Sequence, residues 1–124
     1  MNMVGWFEIY VNDLEKAKAF YQTVLAKELS QLPAFSDNMP EMWAFPWTDG
    51  EMGAPGAICK MQGVDAGGNS TMVYFNCKDC AEEESRIEGA GGKVVCSKMQ
   101  IGEFGFIVVA SDPDGNMIGF HSEQ

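Results

Sequence analysis

A segment near the start of the chain, "WFEIYVNDLEKAKAFY" (Trp6 to Tyr21), comes back in altered form as "MVYFNCKDCAEEESRI" (Met72 to Ile87). Each opens with apolar residues at alternate positions, reaches an aspartate, and then turns acidic and helical. Setting Val11 against Cys77 and Asp13 against Asp79 gives one offset of 66 residues, just over half of the 124 in the chain. A unit of about 60 residues leaves one face of its sheet open to water, so two copies must shield each other. This duplication restricts the fold more than any other feature of the sequence.

Phe7, Ile9 and Val11 alternate with Trp6, Glu8 and Tyr10, the signature of a strand with two unlike faces. Asn12 or Asp13 can cap the helix that follows, and Leu14, Ala17, Tyr21 and Val24, flanked by Phe20 and Leu25, form one apolar stripe at helical spacing. Met42 to Trp47 and Ala57 to Met61 are short strand candidates in a region punctuated by Pro33, Pro40, Pro46 and Pro55, and a Gly-rich linker spans Gln62 to Ser70. The second half repeats the order. Met72 to Cys77 reads as a strand, and Asp79 caps a helix reaching about Ala90 and stopped by Gly91-Gly92. Lys93 to Lys98, Phe104 to Ala110 and Met117 to His121 are three further strands, the last two joined by the turn Asp112-Pro113-Asp114-Gly115-Asn116.

The expected fold is α+β. Two β-α-β-β-β modules, about residues 1–62 and 71–124 around the linker at 62–70, form one domain with a curved eight-stranded mixed sheet. One helix per module covers the convex side. Phe7, Ile9, Val11, Val73, Phe75 and Cys77 then face the helices, while Trp6, Glu8, Tyr10, Met72, Tyr74 and Asn76 face the concave side. The second set mixes aromatic walls with polar anchors, as a small-molecule pocket requires. Cys59, Met117 and Gly119 extend it, and Trp43 and Trp47 are expected to close over it as stacking walls.

Charge narrows the partners. The net charge of −10, with only eight Lys plus Arg, argues against nucleic acid or an anionic membrane. No apolar run approaches the roughly 20 residues needed to span a bilayer. Without a basic, signal-like N-terminus, the chain is expected to be cytoplasmic. Cys59, Cys77, Cys80 and Cys96 are then expected as thiols. The C-x-x-C pair Cys77/Cys80 stands at a strand-to-helix junction, where it could be redox-active or half of a zinc site. The simpler reading is an apolar strand residue and a first-turn helical residue.

"FEIYVNDLEKAKAFYQTVL", "VYFNCKDCAEE" with "GGKV", and the closing "DPDGNMIGFH" together resemble the vicinal oxygen chelate superfamily of glyoxalases, bleomycin- and fosfomycin-resistance proteins and extradiol dioxygenases. The resemblance covers nearly the whole chain. It implies paired β-α-β-β-β modules, a homodimer, and a ligand in the cup of the sheet. It also implies metal ligands at three positions that are Trp6, Met72 and Gly119 in this sequence. An indole, a thioether and a bare glycine cannot gather three or four donors around a divalent ion, so no metal and no other cofactor is expected.

Three functions remain open. One is metal-independent capture of a small apolar or aromatic compound. Another is a lyase, isomerase or dioxygenase, using Glu8 and His121 as acid–base groups or an atypical metal site; Glu8 is expected to be buried in the cup. The last is an interaction module whose cup is filled by its own side chains.

Overall fold

The repeat seen in the sequence reappears as two sheets of the same design. A computed structural model describes residues 6–34, 40–67 and 72–124; the end of the expected linker, residues 68–70, lies outside them. The first half contains β1 (Phe7–Tyr10), α1 (Leu14–Leu25), β2 (Ser30–Gln31), β3 (Glu41–Ala44) and β4 (Gly56–Lys60). The second contains β5 (Val73–Asn76), α2 (Cys80–Ile87), β6 (Lys93–Gln100), β7 (Phe106–Ser111) and β8 (Met117–Ser122), with a single 3₁₀ turn at Gly102–Phe104 before β7. The strand orders are β1-β4-β3-β2 and β5-β8-β7-β6. In each sheet the first strand pairs in parallel with the last, and the other pairings are antiparallel. The seven strands located in the sequence are present, the short β2 supplies the eighth that the module pattern requires, and among the described residues they hydrogen-bond as two four-stranded sheets.

Both helices begin where the sequence puts them. The Asp13 carboxylate accepts from the Lys16 amide at 3.1 Å, and Asp79 accepts from the Ala81 amide at 3.0 Å. Each side chain satisfies a backbone donor that the first helical turn leaves unpaired. Helix α1 buries Leu14, Ala17, Phe20, Tyr21 and Val24, and α2 buries Cys80, Glu83 and Ile87. Helix α2 ends at Ile87, earlier than the glycine pair suggests. A turn follows in which Gly91 takes a φ of 101° and the Gly92 amide donates back to the Ile87 carbonyl. Gly92 is also where Phe20 of α1 lies so close that a Cβ would collide with its ring.

Alternation along β1 and β5 sends Ile9, Val11 and Phe75 into a core shared by both halves. Phe7 and Phe75 meet edge to face at 5.4 Å between ring centroids, and Phe75 also touches Phe45, Tyr21 and Phe120. Burial of each such ring stabilises the fold by roughly 1.5–3 kcal/mol. Arg86 of α2 reaches α1 and donates from Nε to the Val24 carbonyl, a group the helix end leaves unsatisfied, at 2.6 Å.

The turn after β7 fastens the halves together. Asp112 and Asn116 are both buried. Asp112 accepts from the Tyr21 hydroxyl at 2.7 Å, from Asn116 Nδ2 at 2.9 Å and from the Asn116 amide at 2.8 Å. Asn116 Nδ2 also donates to the Tyr10 carbonyl on β1 at 3.2 Å, and Asp114 accepts from the Asn12 amide. Burial, reinforced by the Asp112 carboxylate, holds the Tyr21 phenol well above its ordinary pKa, so it stays a donor.

Candidate functional site

The faces turned away from the helices carry most of the residues expected at a site. On the first sheet, Glu8 stands beside Ala57 and Ala44, and Tyr10 beside Cys59 and Met42. Glu8 is exposed, not buried as the sequence suggested, because its strand neighbours are too small to cover it. Both its oxygens are nevertheless engaged. Oε2 accepts from the Trp6 indole at 3.0 Å, and Oε1 accepts from the Tyr10 hydroxyl at 2.7 Å. Residues two apart on a strand share a face, which is why these three converge. The hydrogen bond to Glu8, then burial, then the Glu8 charge push the Tyr10 phenol up to about 12. Trp47, from the loop after β3, meets Trp6 edge to face at 6.1 Å.

Cys59 forms the floor and not a wall. It is fully buried with Ala44 and Ala57 beneath Tyr10, Leu32 and Met42. Burial, followed by the Glu8 charge, pushes its thiol up to about 12.

Trp43 is a correction. Met42 and Ala44 pair with Cys59 and Ala57 on the side turned away from the helices, so the residue between them must face the helices. Trp43 packs against the main core there, with the Lys18 ammonium 3.6 Å from its ring centroid. Of the two expected tryptophan walls, only Trp47 lies beside Trp6.

On the second sheet, Tyr74 pairs with Gly119, Asn76 with His121, and Met117 with Ser111. Gly119, His121 and Met117 therefore share one face, with half-buried Met72 just ahead of β5. The Tyr74 ring lies across Gly119, in the space a Cβ there would occupy. His121 Nε2 lies against Gly105, which takes a φ of 100°. Asn76 approaches Gly53 of the first half, where a Cβ would stand 3.1 Å from its side-chain nitrogen. Glu8 and His121 stand on different sheets.

The C-x-x-C pair has little nucleophilic character. Cys80 is fully buried and Cys77 half-buried, and all four cysteines are free thiols. Burial, followed by the nearby Glu83 charge, pushes Cys77 up to about 12, outweighing whatever the helix N-terminus contributes.

Residues 4–37 match the family described as bleomycin resistance protein-like N-terminal. No curated protein sequence matches the chain. Among solved structures, a glyoxalase/bleomycin resistance protein from Albidiferax ferrireducens T118 superimposes with a TM-score of 0.68 at 22% identity, over 99% of this chain and 100% of that one. FosX, a genomically encoded fosfomycin resistance protein from Listeria monocytogenes, gives 0.65 at 17% identity over 100% and 92%. Glyoxalase I from Zea mays gives 0.74 at 18% identity over 95% of this chain, which spans only 45% of the maize protein's length.

At the positions where the sequence resemblance implies metal ligands, the residues present do not fit a divalent ion. The Trp6 indole nitrogen is a donor already committed to Glu8, position 119 has no side chain, and the Tyr74 ring fills the space where one would begin. No group of three or more His, Cys, Asp or Glu among the described residues could hold a metal. The strand orders, the paired modules and the likeness to these structures agree: the chain has the glyoxalase/bleomycin-resistance fold.

Proposed function

We propose that this chain is a metal-independent binding protein of the glyoxalase/bleomycin-resistance type, holding a small apolar or aromatic molecule on the concave faces of its sheets. The observation that carries this reading is the surface left uncovered there. Trp6 is 37% exposed beside the fixed carboxylate of Glu8, and on the second sheet Tyr74 is 48% and Met117 37% exposed. Apolar walls with a few placed polar groups are what a small ligand needs. A homodimer in a reducing, cytoplasmic setting fits the open faces and the free thiols. An enzyme using Glu8 and His121 has less support. Glu8 is exposed and stands on a different sheet from His121, whereas a general base works best when partly desolvated and paired with the acid across the substrate.

The test joins metal analysis of purified protein to a thermal-shift screen with neutral aromatic compounds, on the wild type and Glu8→Gln. The expected result is a substoichiometric metal content and a rise in Tm with at least one compound, altered by the substitution. A stoichiometric divalent ion, or no response to any compound, refutes the reading.

A further inference from the structure

The geometry points to a cation-acceptor subsite at Trp6, Glu8 and Tyr10, which would take the ammonium or amidinium head of an apolar or aromatic ligand. This rests on the binding role proposed above and narrows its ligand class. The two groups holding Glu8, an indole N–H and a phenol O–H, are neutral donors. They fix the carboxylate's position without cancelling its charge. An ionised carboxylate offers about four acceptor positions, so roughly two stay available to a ligand. Among the described residues, no lysine or arginine forms an ion pair with Glu8; the ion pairs are Lys18–Glu15, Arg86–Glu83 and Lys98–Asp79. The Trp6 indole borders this carboxylate, and the Trp47 ring meets Trp6 nearly perpendicular, at 87°. Aromatic faces beside an anion attract cations through the ring quadrupole as well as the charge. Because the anion and rings are positioned before a ligand arrives, little ordering remains to oppose binding. The net charge of −10 draws cations towards the chain and repels anions.

The experiment titrates the full chain with phenethylammonium, phenethyl alcohol and phenylpropanoate, followed by tryptophan fluorescence, in the wild type and in Glu8→Gln. The Tm of the variant serves as its check on folding. The cation is expected to bind about tenfold more tightly than the alcohol, and the anion more weakly than either. In Glu8→Gln the advantage should fall below about threefold, and added salt should weaken only the cation in the wild type. Equal binding of cation and alcohol, or an advantage that survives Glu8→Gln, overturns the cation subsite while leaving the binding role intact. Failure of all three probes to bind overturns both.

Discussion

Replacing Asp112 with alanine tests whether the turn after β7 holds the halves together. Four donors reach this carboxylate: the Tyr21 hydroxyl and Asn116 Nδ2 on Oδ2, and the Asn116 and Asp114 amides on Oδ1. After truncation, Asn116 Nδ2 keeps the Tyr10 carbonyl, and the half-buried Asp114 amide can turn to water. The Tyr21 hydroxyl and the Asn116 amide remain buried without a partner. Each such orphan costs about 1–3 kcal/mol, so Asp112→Ala should lower stability by about 4 kcal/mol. That is a large part of the 5–15 kcal/mol typical of a domain. Tyr21→Phe removes one donor and leaves the carboxylate three, for a cost of about 1–2 kcal/mol. In the double variant the hydroxyl is no longer an orphan, so its loss should fall short of the sum by about 1–2 kcal/mol. Urea unfolding followed by tryptophan fluorescence measures all three. A cost below about 1 kcal/mol for Asp112→Ala, or strict additivity, would refute the reasoning. If Asp112→Ala does not fold, Tyr21→Phe still tests the magnitude.

Two other outcomes are expected. Gly119→Ala should push the Tyr74 ring off β8 at a cost of about 1 kcal/mol, and the cost should vanish in a Tyr74→Ala background; a penalty unchanged there would show that the ring is not the obstacle. The Cys59 and Cys77 thiols, each raised from an ordinary value near 9 to about 12, contribute stability that is complete below pH 9 and lost as pH rises through 12. Urea midpoints should therefore fall between pH 9 and 11 in the wild type and fall less in Cys59→Ala/Cys77→Ala; equal slopes would count against the assignment.

The repeat made much of the fold legible. Residues 66 apart cap both helices, and the alternation in β1 and β5 assigned their core faces correctly because each strand is covered on one side only. Strand β2, only two residues long, carries no periodicity to read. Trp43 reads as a wall closing over the cup because nothing local fixes the register of β3; that comes from its pairing with β4. The depth of Cys59 depends on the small neighbours Ala44 and Ala57, brought beside it by the sheet. Glu8 was placed on the intended face, but its exposure and its grip by Trp6 and Tyr10 depend on side-chain packing. Asp112 and Asn116 read only as turn formers, because Tyr21 is 91 positions away along the chain.

The Tyr74 ring resting on Gly119 also shapes the mutational routes open to this chain. A larger residue at 119 is tolerated only once position 74 has shrunk or its ring has swung aside, and a smaller residue at 74 uncovers bare backbone while 119 stays glycine. The two sites form an epistatic pair. Any mutational route that places a side chain at position 119 would therefore begin with a change at 74.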